Sequence, residues 1–96
     1  MKIIWSKEAK NAFYNNQGYL EQNWNSVIAQ KFVAEVVHTI NLIKNNPHLG
    51  KYKIDLRCNE IVISKHTSLY YEIRNDSIFI FNLQDNRQKP LQFLNL

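Results

Sequence analysis

Between Asn25 and Asn45 apolar residues recur at helical spacing. Ala29, Phe32, Val33, Val36, Ile40 and Ile43 fall on one face, while Lys31, Glu35, His38 and Asn41 fall away from it and Leu42 lies off the stripe. Asn25 is an N-cap by residue type, and Asn45-Asn46-Pro47 ends the run, because Pro47 cannot continue the helical hydrogen bonding. This stripe has to be buried, and what precedes it limits how. Residues 2–5 read as a short strand, Ser6 as an N-cap with Glu8 in the first turn, and residues 7–22 as a helix. That helix has a thin apolar stripe of Ala9, Ala12, Phe13 and Leu20, and Gly18 costs it up to ~1 kcal/mol relative to alanine. The joint at residues 23–25 is too short for anything but an antiparallel helical hairpin.

After Gly50, which reads as a turn, the periodicity changes to two. Residues 52–57, 60–65, 68–74 and 77–83 are four candidate strands. Asn75-Asp76 joins the last two, and both residue types accept the positive φ of a two-residue type I′ hairpin. That turn pairs Ile73 with Ile78 and Tyr71 with Ile80. Leu69, Tyr71, Ile73, Ile78 and Ile80 then share one face, and Tyr70, Glu72, Phe79, Phe81 and Leu83 the other. Both faces are bulky. One packs on the helices; the other is left to the tail (Leu91, Phe93, Leu94), to a partner, or to solvent. The expected fold is α+β: an N-terminal strand and a helical hairpin packed on a twisted, mainly antiparallel sheet, in a single domain over residues 1–96.

Composition narrows the function classes. The formal charge of +4 favours acidic partners such as nucleic acid or an acidic protein segment. Cys58 is the only cysteine, so neither an internal disulfide nor a cysteine-based zinc site is available, and a reducing compartment fits. His38, His48 and His66 show no close ligand spacing, and neither metal nor cofactor is expected. No apolar run approaches the ~20 residues of a membrane span, and the N-terminal stretch has no signal-peptide core, so the expected location is cytoplasmic.

Four stretches resemble the RelE/ParE toxin superfamily of type II toxin–antitoxin systems, the plasmid stabilisation proteins. They are Trp5-Ser6-Lys7-Glu8-Ala9, Asn46-Pro47-His48-Leu49-Gly50-Lys51, Leu69-Tyr70-Tyr71-Glu72-Ile73 and Asp85-Asn86-Arg87-Gln88-Lys89-Pro90. They occur in family order and at family spacing along nearly the whole chain. The resemblance implies a bacterial growth-inhibiting toxin with a cognate antitoxin. Its target is DNA gyrase in the ParE branch, or mRNA in the ribosomal A site in the RelE branch; an inactive remnant that only binds antitoxin is the further alternative. The RelE branch tends to carry a histidine or tyrosine near the C-terminus, and here none follows Tyr71. The ParE branch often has an arginine and a histidine at the positions occupied by Ser68 and Asp85. With the nuclease residues missing, the resemblance leans to gyrase.

Cleavage through a 2′-hydroxyl needs a base, an acid and a cation at the phosphate. Arg87 is the candidate cation, with Lys89 beside it, and His66 the candidate acid or base. Arg87 lies outside any expected core position, so its removal should cost little stability. Lys51, Lys53 and Arg57 alternate onto one strand face and, with Lys65, are candidates for binding nucleic acid or another target; strand and tail, if close, would join them to Arg87 in one positive groove. Tyr70, Phe79 and Phe81, or Leu42 on the helical hairpin, are the candidate antitoxin contacts.

Overall fold

Ser6 caps the first helix as its sequence context predicts: its Oγ accepts a hydrogen bond from the Ala9 amide at 2.9 Å. In the computed structural model, which describes residues 1–88, β1 (Lys2–Trp5) leads through this cap into α1 (Lys7–Asn23). Asn25 caps α2 (Ser26–Asn45) in the same way, accepting from the Ile28 amide at 2.8 Å. A single 3₁₀ turn (Pro47–Leu49) leads into β2 (Lys51–Lys53), β3 (Cys58–Val62), β4 (Thr67–Ile73) and β5 (Ser77–Asp85), and a second 3₁₀ turn spans Asn86–Gln88. The five strands form one sheet in the order β1-β5-β4-β3-β2, antiparallel except for β1 against β5. No helix among the described residues is long and apolar enough to cross a membrane.

The helical hairpin packs on one sheet face. Ala9 and Leu20 of α1 and Ala29, Phe32, Val36 and Ile43 of α2 meet Leu69, Tyr71, Ile78, Ile80 and Leu83 in one core, with Val33 and Ile40 half-buried at its edge. Ile73 pairs with Ile78 and Tyr71 with Ile80, the register set by a two-residue turn. The turn itself is not type I′. Arg57 is the one non-glycine described residue with positive φ, so Asn75 and Asp76 do not adopt the left-handed conformation expected of them.

Three further expectations are corrected. β2 stops at Lys53, and residues 54–57 form a tight loop closed by bonds from Leu56 N to Lys53 O and from Arg57 N to Ile54 O. Arg57 stands in that loop at φ 55 and is no strand residue. β3 ends at Val62, which leaves Lys65 in the β3–β4 turn. A bulge shifts the β4–β5 register, so that Tyr70 pairs with Asn82 but Tyr71 with Ile80. Phe81 is the extra residue, and beyond it the faces exchange: Leu83, expected outside, is 3% exposed in the core.

Gly50 supplies space more than conformational freedom, since its φ of −73° suits any residue. The Tyr71 hydroxyl donates to the Pro47 carbonyl at 2.6 Å and accepts from the Gly50 amide at 3.0 Å. Burial pushes this hydroxyl's pKa up, although the Gly50 amide acts the other way, so it remains a donor at neutral pH. A Cβ on Gly50 would lie 2.5 Å from that hydroxyl oxygen, whereas a Cβ on Gly18 would meet nothing within 4 Å. The two glycines should therefore respond oppositely to alanine. Gly18→Ala should stabilise by up to ~1 kcal/mol. Gly50→Ala should destabilise by roughly 1–3 kcal/mol and cost less in a Tyr71→Phe background, where the clashing oxygen is gone. Urea unfolding of the four variants measures this, and equal shifts for both glycines would refute the latch.

Candidate functional site

Beyond β4 and β5 the chain builds a groove of about 260 Å³ between α2 and the β3–β4 turn. One wall is a helix stripe of Ile28, Lys31 and Glu35, continued by Trp24 at the α1–α2 joint; the other is Ser64, Lys65, His66 and Arg87. Three of the candidates named from sequence, His66, Lys65 and Arg87, thus come together. Their neighbours Lys31 and Glu35 were not candidates, because polar residues off an apolar stripe read as solvated helix surface, and Trp24 was not one because it falls in the joint between the helices.

His66 is held with defined chemistry. Its Nδ1 lies 3.1 Å from Asn86 Oδ1, while Asn86 Nδ2 donates to the Lys65 carbonyl at 3.1 Å. A carbonyl only accepts, so this second bond fixes which way the Asn86 amide points. His66 Nδ1 must then be the donor, and the neutral ring keeps a lone pair on Nε2. The backbone reinforces the clamp through Asn86 N to His66 O at 2.8 Å and His66 N to Ser64 Oγ at 3.1 Å.

Arg87 is not the surface cation expected of it. Its Nε and Nη2 donate to Asp85 at 2.9 and 2.6 Å, and its backbone amide adds a third bond at 2.9 Å. Thr67 Oγ1 donates to the same carboxylate at 2.8 Å, and the Arg87 carbonyl accepts from the Tyr19 hydroxyl at 3.2 Å. The side chains are 10% exposed for Arg87 and fully buried for Asp85. Burial alone would raise the Asp85 pKa, but the bonds from Arg87 and Thr67 outweigh it and hold the carboxyl below its ordinary value.

The other expected basic groove does not form. Lys51 and Lys53 lie on the edge strand β2, three strand spacings or ~14 Å from β5. Lys53 pairs with Glu60 at 3.5 Å, and Arg57 lines a separate cavity with His48 and Tyr52. Lys89 and the tail residues Leu91, Phe93 and Leu94 lie outside the described residues.

On the sheet face away from the helices, Tyr70, Phe79 and Phe81 are half-buried. Tyr70 and Phe81 stand 6.3 Å apart by ring centroid, Arg74 lies 4.0 Å over the Phe79 ring, and Leu56 lines a pocket with Tyr70 and Phe81. The Tyr70 pKa is pushed up to about 12 by burial and the neighbouring Glu60 carboxylate, while its hydroxyl donates to Gln84 Oε1 at 3.4 Å, so it is no base at neutral pH. Cys58 is buried, and burial followed by the carboxylates of Glu72, Glu60 and Asp55 raises its thiol pKa, which leaves it inert. Leu42, 42% exposed, projects from the helix layer and is no part of this face.

The sequence model of the ParE toxin family, described as the toxin of the type II toxin–antitoxin system parDE, matches residues 3–90. The chain belongs to the ParE toxin family. Among solved structures, a chain of the chromosomal ParDE TA system from P. aeruginosa is similar to it with a TM-score of 0.74 at 14% identity, covering 88% of this chain and 95% of that one. A YoeB/ParE toxin from Agrobacterium tumefaciens is similar with a TM-score of 0.59 at 13% identity, covering 88% and 98%. Identities this low speak to the fold. No protein of curated function matches the sequence.

In this ParE-family chain the Arg87–Asp85 pair is therefore a structural lock with a definite acid dependence. Because the folded pKa of Asp85 is depressed, its contribution is fully present above the unfolded value of ~3.9 and is lost as pH falls below that. Arg87→Ala leaves a fully buried carboxylate without its cation and should cost about 3–5 kcal/mol. Denaturant melts at pH 7 and pH 3 test both statements: the penalty should shrink at pH 3, and a mutant as stable as the parent at pH 7 would show that the lock contributes nothing.

Proposed function

We propose that this toxin inhibits growth by acting on DNA gyrase and is neutralised by an antitoxin that covers the outer sheet face at Tyr70, Phe79 and Phe81. The observation that carries the gyrase reading is the commitment of Arg87. The residue best suited to steady a scissile phosphate is held bidentately by Asp85, so the Arg87 guanidinium is not free for ribonucleolytic cleavage. Membership of the ParE family points the same way. Lys51 and Arg57 remain as exposed cations for contact with the target. The antitoxin placement rests on unmet burial: a row of aromatics opposite the core, capped among the described residues by Arg74 and the β2–β3 loop, offers roughly 1.5–3 kcal/mol per fully buried ring before ordering costs.

Inducing the chain alone should arrest growth, and co-expressing the antitoxin should restore it; normal growth at verified soluble expression indicates an inactive remnant. Purified toxin should impair gyrase supercoiling while leaving mRNA ends unchanged in a translation reaction. New mRNA cuts there would transfer the protein to the RelE branch. Phe81→Glu should weaken antitoxin binding by roughly a hundredfold or more, taking about 3 kcal/mol as the share of one central aromatic. Unchanged affinity for this variant, with protection by antitoxin confined to the helix around Leu42, would move the interface to the helical hairpin.

A further inference from the structure

The groove between α2 and the β3–β4 turn has charge left after its internal pairs are counted. Asp85 neutralises Arg87. Among the described residues Lys31 and Lys65 have no ion-pair partner, and both line the groove, Lys31 from α2 and Lys65 from the β3–β4 turn. Toward the helical joint the lining is apolar, from Ile28 and a Trp24 that is 55% exposed. At the other end is Glu35, one helical turn beyond Lys31. The β3–β4 turn also contributes His66, whose Nδ1 is fixed as a donor to Asn86.

We infer that this groove binds a nucleotide, with the base stacked on Trp24, the phosphate between Lys31 and Lys65, and a ribose hydroxyl donating to His66 Nε2. Each part of the ligand follows from a feature of the walls. An exposed indole beside an aliphatic side chain is a stacking platform for a base of any identity. Two ammonium groups lining one groove from different elements suit a phosphate better than a carboxylate on a long chain, because both can reach one compact dianion. Glu35 repels that dianion from the far end and so fixes its direction, base toward the helical joint. The residual volume of about 260 Å³ is too small for a duplex to enter. The same chemistry is offered by a free mononucleotide and by one unit of a single strand. The inference stands apart from the choice of toxic target.

The test is titration of the purified chain with adenosine 5′-monophosphate, adenosine, and a four-nucleotide deoxyadenylate strand. The readouts are tryptophan emission and calorimetry. The chain has two tryptophans, so Trp24→Phe leaves Trp5 as the reference. The monophosphate should quench emission in the parent and not in Trp24→Phe, and adenosine should bind roughly tenfold or more weakly. Lys31→Ala and Lys65→Ala should each weaken the monophosphate several-fold to roughly tenfold, a loss typical of one charge-assisted contact. Glu35→Gln should tighten it. Lys10→Ala, an exposed lysine of α1 outside the groove, should leave it unchanged. Equal affinity for monophosphate and strand identifies a free-nucleotide site, and a strand tighter by more than tenfold identifies a single-strand site. The inference is overturned if no ligand binds at millimolar concentration, if quenching persists in Trp24→Phe, or if Lys10→Ala weakens binding as much as Lys31→Ala. Melting curves of the variants confirm that they fold.

Discussion

The structure turns on the bulge at Phe81. Ser6 Oγ donates to the Phe81 carbonyl at 2.9 Å, and the Ser6 amide donates to the Ile80 carbonyl at 2.8 Å. One residue therefore caps α1 and holds the extra residue of β5 in place. The consequences run down the strand. Without the extra residue, strand alternation would send Asn82 and Gln84 inward and leave Leu83 and Asp85 in water. With it, Leu83 enters the core and Asp85 is carried under the sheet end, fully buried. A buried carboxylate requires a counter-charge and donors, and the chain supplies both by folding back so that Arg87 and Thr67 reach it. The fold-back in turn brings Asn86 to His66 and completes the second wall of the groove.

This dependence explains what could be read from the sequence. Elements defined by local patterns were legible: the α2 stripe, the Ser6 and Asn25 caps, the short helical joint, and the hairpin register at Ile73 and Ile78. The bulge was not, because its cause is a hydrogen bond between residues 75 positions apart. The end of β2 was obscured for a different reason. Tyr52, Ile54 and Leu56 alternate with polar residues as a strand would, yet they are 56%, 83% and 51% exposed, and the chain turns through Arg57 at φ 55. Period-two hydrophobicity marks a strand only when something covers its apolar side, and at this edge nothing among the described residues does.

The groove was half legible for the same physical reason. His66, Lys65 and Arg87 stood out by residue type and by resemblance. Lys31 and Glu35 lie on the polar side of an amphipathic helix, a position that sequence alone assigns to solvent. Only the tertiary return of the β3–β4 turn and the chain end gives that side a second wall. The role expected of Arg87 failed through the neighbour two positions before it. Asp85 read as a departure from a family pattern, whereas its depth beneath the sheet makes it the partner that immobilises Arg87.

The four stretches that carry the family resemblance share a property that bears on function. Ser6 holds the bulge, Gly50 leaves room for the Tyr71 hydroxyl, Tyr71 latches the turn after α2, and Arg87 neutralises Asp85. The first three are fastenings between segments distant in sequence, the last is a local pair tied to β4 through Thr67, and each is largely closed to a partner by its own bonds. A chain can keep all four and still change what it touches, because most of its exposed side chains lie outside these stretches. Trp24, Lys31 and Lys65 around the groove are of this kind, as are Ile54 and Leu56 at the β2–β3 tip. Resemblance built on fastenings therefore transmits the fold strongly and the target weakly. It follows that target choice in this domain has to be sought in substitutions at such exposed positions, which leave stability nearly unchanged, and that loss of toxicity on altering Arg87 or Gly50 is uninformative unless folding is measured beside it.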